Sequence, residues 1–407
     1  MRVLFLTWDG PQQSYLESLF FPIFAGLRPL GIDVSVLQLT WGSASQLQAV
    51  HAASQAFGLR LTTRRVPPSL RRWALPAVVA YGAGAALQQA AEQDIDLLFP
   101  RSLIPMTMAL GANKVRPKLA LLFDADGFMA DERLDFGGWR ADGVSYRALR
   151  AVEAAGVREA RAVICRTEHA RGILARRSRR AGSEAKIFVA PNPKDARVFV
   201  PRARVEREET RAQQGVSPEA PWIVYVGSIG PQYCPDVMLD AFARIHERRP
   251  DARLSVFTFQ VEDVRARLRR LPNLAASVRV GRLEPREVSQ VLSAADLGLA
   301  PRRPHFSQLG ISPIKVAEYL LCGTPVVASR VGDLPEQLAD SPAALLIDPD
   351  QPSAPGQIAA WFVDDVLPAR EYLREQAREL GLRWFSLTTA IATYERALRY
   401  GARPESP

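Results

Sequence analysis

Short apolar runs rich in β-branched residues alternate with helical segments along nearly the whole chain, and this alternation limits the fold more than any other feature. It is typical of βαβ units, in which each helix carries the chain back so that the next strand pairs in parallel. Because helices then cover both faces of the sheet, the buried strands read as continuous apolar runs. In the first half of the chain the predicted strands are Val3–Thr7, Val34–Leu39, Leu59–Arg65, Ile95–Phe99, Leu119–Phe123, Ala162–Cys165 and Ile187–Ala190.

A proline-rich, charged segment at 191–221 interrupts the alternation, which then resumes. A chain of 407 residues also exceeds what one hydrophobic core usually serves. We therefore predict an α/β protein with two Rossmann-like, parallel-sheet domains facing a cleft and a helical tail. The expected boundaries are 1–192 for the first domain, 193–221 for a linker, 222–385 for the second domain and 386–407 for a C-terminal helix that packs back on the first domain. The predicted strands of the second domain are Trp222–Val226, Leu254–Phe259, Val278–Val280, Leu297–Ala300, Val326–Ala328 and Leu345–Ile347.

The composition excludes several classes of protein. The three cysteines, Cys165, Cys234 and Cys322, are far apart and show no metal-ligand spacing, so neither a disulfide framework nor a structural zinc site is expected. Asp9 follows the first apolar run too soon for a signal peptide. No apolar stretch reaches the roughly 20 residues of a membrane-spanning helix. We expect a cytoplasmic protein.

The net charge of +9 permits a nucleic acid, an anionic membrane surface or a phosphorylated substrate as partner. The basic clusters are dispersed and lack interleaved aromatic residues, so nucleic acid is not expected. Solvated helix faces account for most of the clusters, and peripheral contact with an anionic membrane at its inner face is the functional alternative. Arginine dominates the 52 basic residues, which suggests a specific use for the few lysines: Lys114, Lys118, Lys186, Lys194 and Lys315.

The most informative segment is residues 312–329. Ser312 is a suitable N-cap and Pro313 a suitable first helical residue, whereas Gly323 ends the helix before the next strand. At about 100° per residue the apolar side chains cover one side of this helix. Lys315 and Glu318 lie together on the other side.

Lys315 is unfavourable for the helix itself, because a cation near the N-terminus opposes the helix dipole. A bound anion would remove the conflict, since the free amides of the first turn and the Lys315 ammonium group would both face a diphosphate. Glu318, one turn further on, would then accept hydrogen bonds from two vicinal ribose hydroxyls. The alternative is an ordinary surface ion pair between Lys315 and Glu318 without a ligand.

These residues resemble the donor-site signature of retaining glycosyltransferase family four, whose members have the GT-B fold. The matching residues are Glu318, Gly323, Pro325–Ser329 and Val331–Glu336, in the variant Ser-Pro-x-Lys-x-x-Glu that begins at Ser312. Further matches occur in the expected order at Ala190–Asn192, Val224–Ser228, Val280–Arg282 and Ala294–Pro301. The resemblance covers residues 190–336, and the first half of the chain is similar by architecture.

The resemblance implies that the second domain binds a nucleotide sugar, UDP- or GDP-linked, and that the first domain holds the acceptor. The implied acceptor is a glycan, a lipid-linked sugar or a small molecule. The donor-binding residues that the motif and the preceding loops imply are Gly227, Ser228, Arg282, His305, Gly310, Ile311, Ser312, Lys315 and Glu318. On the acceptor side the strand ends offer Asp9, Gly10 and Asp124, with Asp126 as the candidate for a polar contact or a catalytic base.

Two departures from the family pattern concern the donor site, one near the reacting sugar and one at the diphosphate. The family carries a second Glu ahead of the counterpart of Glu318, and Gly310 stands in its place. We interpret Lys315 as a partial replacement. The usual Arg/Lys pair after the first glycine turn is also missing, and three arginines are candidates for supplying its charge: Arg282, Arg302 and Arg303.

The resemblance implies a reaction that retains the anomeric configuration and needs neither a metal nor another cofactor, because fixed amides and cations stabilise the leaving diphosphate. Three alternatives stay open. Asp124 and Asp126 after an apolar strand resemble the DxD metal site of GT-A glycosyltransferases. A sugar-nucleotide 2-epimerase shares the GT-B architecture. The missing glutamate at Gly310 is compatible with a GT-B protein that binds a partner and no longer catalyses.

Overall fold

The computed structural model describes residues 1–10, 15–67 and 75–403. The chain divides into two compact units, each with its own parallel sheet. The first unit contains Met1–Pro191, the short segment Leu309–Ile311 and the C-terminal part from Leu387. The second unit contains Asn192–Gln308 and Ser312–Ser386, so the proline-rich segment is part of it.

The sheet of the first unit has seven strands in the order β3-β2-β1-β4-β5-β6-β7, and neighbouring strands are parallel. The strands are β1 (Arg2–Asp9), β2 (Asp33–Thr40), β3 (Arg60–Arg65), β4 (Leu97–Pro100), β5 (Ala120–Asp124), β6 (Ala162–Cys165) and β7 (Ile187–Val189). The helices are α1 (Phe21–Leu27), α2 (Ala44–Ala56), α3 (Leu75–Glu92), α4 (Leu103–Val115), α5 (Met129–Phe136), α6 (Val144–Glu159), α7 (Glu168–Ser178) and, at the C-terminus, α16 (Leu387–Gly401).

Helices cover both faces of this first sheet, as the continuous apolar strands require. Along β1 the side chains alternate between two hydrophobic clusters: Val3 and Phe5 belong to one, and Leu4 and Leu6 belong to the other. All four are fully buried. Tyr394 of α16 lies in the cluster of Phe5, so the C-terminal helix covers one face of the first sheet.

The sheet of the second unit has six strands in the order β10-β9-β8-β11-β12-β13, again all parallel. The strands are β8 (Trp222–Val226), β9 (Arg253–Phe257), β10 (Val278–Gly281), β11 (Leu297–Ala300), β12 (Val326–Ser329) and β13 (Ala344–Ile347). The helices are α8 (Arg204–Gln213), α9 (Pro235–Arg248), α10 (Val261–Leu268), α11 (Pro285–Ala294), α12 (Ile314–Leu321), α13 (Leu334–Leu338), α14 (Ala354–Ala360) and α15 (Arg370–Phe385).

The predicted fold class is confirmed. Both sheets are parallel and Rossmann-like, the tail is helical, and every predicted strand occurs with its ends within two residues of the prediction. Among the described residues, no helix combines the length and the apolar character that crossing a membrane would require.

Tyr319 fixes α12 on the second sheet. Its ring lies directly over Gly298 of β11, where an added Cβ atom would come within 2.4 Å of the ring. The Tyr319 hydroxyl accepts a hydrogen bond from the backbone N–H of Val226 at 3.1 Å. Because a buried Tyr hydroxyl needs such a partner, this bond fixes the end of β8 relative to α12.

We expect Gly298→Ala to destabilise the protein by about 1–3 kcal/mol, because the new methyl group must displace a fully buried aromatic ring. The melting temperature, followed by circular dichroism, should fall by about 2–4 °C for each kcal/mol lost. Gly281→Ala is the matched control, since no atom lies within 4 Å of an added Cβ atom in that strand of the same sheet. Equal melting temperatures for both variants would contradict the proposed packing role.

Candidate functional site

The first turn of α12 lies one residue later than the sequence indicates. The helix begins at Ile314, and Pro313 occupies the N-cap position without a side-chain cap. The prediction of Ser312 as N-cap is therefore wrong. The Ser312 hydroxyl instead accepts a hydrogen bond from the backbone N–H of Asn192 at 3.2 Å, and the Asn192 amide donates to the Ser312 carbonyl at 2.8 Å. Lys315 is the second residue of the helix and remains in its first turn.

The Lys315 side chain lies in an aromatic pocket at the end of β8. Its Nζ atom donates a hydrogen bond to the Tyr225 hydroxyl at 2.9 Å. The same atom lies 4.6 Å from the centre of the Tyr225 ring and 4.1 Å from the centre of the Tyr233 ring. Burial lowers the pKa of Lys315 to about 7; the positive charge of Arg302 lowers it further and Glu318 acts in the opposite direction.

Gly227 provides the space for this lysine. Its φ of +137° is a conformation that L side chains rarely adopt, and an added Cβ atom would lie 2.2 Å from Cε of Lys315. There are therefore two reasons for a glycine after β8: the backbone conformation of the turn and the close approach of the lysine side chain. Ser228 follows, exposed, and its carbonyl accepts a hydrogen bond from the Tyr225 hydroxyl.

Of the three candidate arginines, only Arg302 reaches the environment of Lys315. Its guanidinium carbon lies 4.9 Å from the centre of the Tyr233 ring, and its Nε donates to the Gln308 side chain at 2.7 Å. Within the described part of the chain, no carboxylate forms a salt bridge with Arg302. Arg303, by contrast, pairs with Asp350 at 3.4 Å.

The other two predicted loop residues, Arg282 and His305, have further contacts of their own. Arg282 follows β10 at the edge of the sheet, two strands from β8, and lies over the Phe259 ring at 5.6 Å. Arg282 therefore follows a strand that lies about 10 Å from β8, a distance of two strand spacings. His305 is exposed, and its backbone N–H donates to the Arg303 carbonyl at 2.9 Å.

Glu318 has a partner that the motif did not indicate. Its Oε1 atom lies 2.8 Å from Nζ of Lys194, and both side chains are largely buried, at 15% and 7% exposure respectively. The Lys194 ammonium group also lies over the ring of Phe199 at 5.2 Å. The scarcity of lysine was the one signal in the sequence that pointed to Lys194. The surface pair between Lys315 and Glu318 does not form, because the two side chains have different partners.

In the first unit, a network of buried charges joins the carboxyl ends of four neighbouring strands. Arg166 donates to both oxygens of Asp124, at 2.6 and 2.7 Å, and to the Tyr394 hydroxyl at 3.2 Å. Arg101 pairs with Asp126 and, at 3.5 Å, with Asp9. Neither the two arginines nor the tyrosine was identified from the sequence, because they are distant in the chain and follow no motif.

The three aspartates of this network differ in how far their side chains are exposed to solvent. Asp124 is fully buried and Asp9 nearly so, and burial raises the pKa of both carboxyls while the arginines oppose that effect. Asp126 keeps a quarter of its side chain exposed, and its φ of +36° is unusual for an aspartate. Gly10, next to Asp9, packs against the Trp41 ring. Asp126 is thus the carboxylate of this network that a solute can reach most readily.

Gly310 and Ile311 belong to the first unit. An added Cβ atom at Gly310 would lie 3.0 Å from the ring of Phe128. The neighbouring Leu309 carbonyl accepts a hydrogen bond from the Thr167 hydroxyl at 2.7 Å. The position at which the family carries its second glutamate is therefore closely packed as well as uncharged.

Comparisons with known proteins show which proteins this chain is similar to. Residues 220–365 match the model of the family described as glycosyl transferases group 1. D-inositol 3-phosphate glycosyltransferase of Segniliparus rotundus is 31% identical over 237 residues, which cover 54% of this chain and 49% of that protein. A GDP-mannose-dependent monoacylated alpha-(1-6)-phosphatidylinositol monomannoside mannosyltransferase of Corynebacterium glutamicum is 28% identical over 41% of this chain and 44% of its own length. The chain thus spans about half the length of the relatives it matches.

Solved structures extend the likeness to both units. HepE of Anabaena in complex with UDP-glucose superposes with a TM-score of 0.76 at 16% identity, covering 98% of this chain and 99% of that one. Sucrose-phosphate synthase of Thermosynechococcus elongatus gives the same TM-score at 17% identity, covering 98% of each chain. The fold is therefore GT-B, and the segment 220–365 that carries Lys315 and Glu318 matches a glycosyltransferase family. At that level the resemblance predicted from the sequence is confirmed.

We expect Lys315→Met to stabilise the nucleotide-free protein at pH 6 and progressively less toward pH 10. The folded protein holds the pKa of Lys315 near 7, below its ordinary value of 10.5, so between these values the unfolded chain binds more protons. The stability of the wild type therefore rises with pH in this window, and the methionine variant lacks that rise. Melting temperatures of the variant and the wild type, measured from pH 6 to pH 10, test this prediction. Each kcal/mol of stability corresponds to about 2–4 °C.

Lys118→Met is the matched control, because Lys118 is exposed. A stability difference between Lys315→Met and the wild type that does not change with pH would contradict the lowered pKa.

We expect Asp124→Asn to destabilise the protein by about 3–5 kcal/mol, because it removes the charged partner closest to the buried Arg166 guanidinium group and leaves only the longer contact with Asp126 at 3.4 Å. Asp142→Asn makes the same chemical change at an exposed pair with Arg140 and should change the stability far less, because solvent screens that pair. Urea unfolding of both variants measures the difference. Similar midpoints would show that Arg166 does not depend on Asp124.

Proposed function

We propose that the protein is a retaining, metal-independent glycosyltransferase that uses a UDP- or GDP-linked sugar. The acceptor is a hydroxyl group of a glycan, a lipid-linked sugar or a small molecule. The observation that carries the proposal is the position of Lys315, whose side chain lies at the first turn of α12 and against the glycine turn after β8. A cation, free helix amides and a glycine backbone together favour a diphosphate.

The residues around Lys315 account for the departure of the leaving group. Cleavage of the bond between sugar and phosphate places additional negative charge on the diphosphate. Fixed donors stabilise that charge best where they are partly shielded from water. The N-terminal amides of α12 and the Lys315 ammonium group meet this requirement without a metal ion or another cofactor.

Glu318 is proposed to bind the ribose. It lies one turn beyond Lys315 on α12, and Lys194 holds one oxygen of its carboxylate in place. A carboxylate positioned in this way accepts hydrogen bonds from hydroxyls at little entropic cost, because its orientation is already fixed. In this proposal Lys194 positions Glu318 and does not contact the nucleotide.

The arginine pairing in the first unit supports the metal-independent form of the proposal. Asp124 has both oxygens bonded to Arg166, and Asp126 pairs with Arg101. A divalent cation would have to displace two guanidinium groups to bind these carboxylates, which makes the DxD alternative unfavourable. We assign the acceptor-side contact or catalytic base to Asp126, with Asp9 and Asp124 as buried supports. Retention follows from the family resemblance.

The choice of donor base rests on similar proteins. The mannosyltransferase of Corynebacterium glutamicum is named as GDP-mannose-dependent, and HepE of Anabaena was solved with UDP-glucose. Two UDP-N-acetylglucosamine 2-epimerases also share the fold, with lower TM-scores of 0.60 and 0.63. An epimerase would convert a nucleotide sugar without any acceptor.

Thermal-shift measurements with UDP, GDP, ADP and dTDP test the donor site. At least one nucleoside diphosphate should raise the melting temperature of the wild type. At a hundredfold excess over Kd the gain is about 2.7 kcal/mol. EDTA should not change the shift, and Lys315→Ala combined with Glu318→Ala should remove it, whereas Lys118→Ala should keep it. A shift that appears only with a divalent metal would contradict the proposal and favour the DxD alternative.

Turnover with nucleotide sugars and a panel of acceptors separates the remaining alternatives. Asp126→Asn should lower kcat by about 10²-fold or more if Asp126 is the general base. Conversion of the donor without an acceptor would indicate an epimerase. Donor binding with no turnover on any acceptor would indicate a GT-B protein that only binds, as the glycine at position 310 would allow.

A further inference from the structure

Two cations of the second unit share one aromatic ring. The Lys315 ammonium nitrogen lies 4.1 Å from the centre of the Tyr233 ring, and the Arg302 guanidinium carbon lies 4.9 Å from it. Within the described residues neither cation forms a salt bridge with a carboxylate. The neighbouring Arg303, in contrast, pairs with Asp350.

We propose that Arg302, Tyr233 and Lys315 form a diphosphate clamp, in which Lys315 is a neutral amine when the site is empty and takes up a proton as the diphosphate binds. This inference rests on the proposed function and adds the identity of the second cation and the protonation step. In place of the missing Arg/Lys pair, a lysine and an arginine from other parts of the unit supply the positive charge at the diphosphate.

The groups that face Lys315 explain why the empty site disfavours the ammonium form. Tyr225 of β8 and Tyr233 of the following loop shield the amine from water without supplying a counter-charge. Their ring faces attract the ammonium form and so act in the same direction as Glu318. Arg302, after β11, adds a positive charge. Among the described residues Glu318, on the same helix, is the one carboxylate that acts on Lys315, and it is paired with Lys194. Desolvation and the charge of Arg302 outweigh Glu318 and lower the pKa of Lys315 to about 7.

The position of the amine does not depend on its charge. The Tyr225 hydroxyl accepts the hydrogen bond from Lys315 and donates its own proton to the Ser228 carbonyl. This chain of hydrogen bonds holds Nζ beside the glycine turn in either state. Arg302 is held in a similar way by the Gln308 side chain. The clamp is thus in place before the ligand arrives, which reduces the entropic cost of binding.

A diphosphate reverses the electrostatic balance at Lys315. Its oxygens bring negative charge next to both cations, so the ammonium form becomes the favoured one. Above pH 7 the nucleoside diphosphate is already fully ionised, since a terminal phosphate has a second pKa of about 6. The proton must then come from the solvent: the neutral amine, one proton and the nucleotide combine to give the ammonium–diphosphate complex.

Isothermal titration calorimetry of the full chain at pH 8.0 with UDP and GDP tests this inference. Titrations in HEPES and in Tris, which have different ionisation enthalpies, give the number of protons bound with the nucleotide. We expect an uptake close to one proton per nucleotide for the wild type. We expect no uptake for Lys315→Arg, because a guanidinium group is always charged.

Arg302→Gln and Arg303→Gln form a matched pair of neighbouring variants. Arg302→Gln should weaken nucleotide binding about tenfold or more, because it removes a charged hydrogen-bond donor. It should also reduce the proton uptake at pH 8.0, because Lys315 then keeps more of its own proton. Arg303→Gln should bind within about twofold of the wild type, since its charge is already paired with Asp350.

The outcomes of these titrations distinguish a failure of the diphosphate clamp from a failure of the proposed function. Nucleotide binding without proton uptake in the wild type would overturn the clamp and leave the donor site intact. Equal effects of Arg302→Gln and Arg303→Gln would overturn the assignment of Arg302. Absence of binding by both nucleotides would overturn the clamp together with the proposed function.

Discussion

The contact between Tyr319 and Gly298 determines the arrangement of the candidate donor site. It holds α12 so close to the sheet that the Tyr319 hydroxyl bonds the last residue of β8. Lys315 lies four residues earlier on the same helix face, so the buried tyrosine places the lysine next to the turn that follows β8. The chemistry of the site thus depends on helix periodicity and on one glycine with no side chain to obstruct the ring.

The same contact shows what the sequence could and could not predict. Continuous apolar runs were sufficient for the fold class and the strands, because burial on both faces leaves few alternatives. The sequence predicted a helix that carries Lys315 and Glu318, and α12 carries both. Their partners were missed: Lys315 was expected on the side away from the core, yet Tyr225, Tyr233 and Arg302 surround it. Such contacts depend on loop conformation and on strand order, neither of which follows from local patterns.

The two units use charge differently. In the first unit, arginines and aspartates neutralise each other in a buried network, and only Asp126 retains substantial exposure. Such networks hold strand ends in a defined geometry and are sensitive to the loss of any member. In the second unit, neither Lys315 nor Arg302 forms a salt bridge with a carboxylate of the described residues, so the charge of Arg302 beside Lys315 is not neutralised by the protein. The buried network of the first unit and the candidate donor site of the second therefore differ in how their cations are paired.

The close packing at Gly310 has a consequence for attempts to introduce the glutamate that the family resemblance places at that position. A glutamate grafted onto that position would have to displace the ring of Phe128, whose exposure is only 2%. A functional graft would therefore need at least a second exchange that shortens Phe128. A single substitution at position 310 would bring the new side chain into close contact with a buried ring, whereas shortening Phe128 alone would leave a cavity.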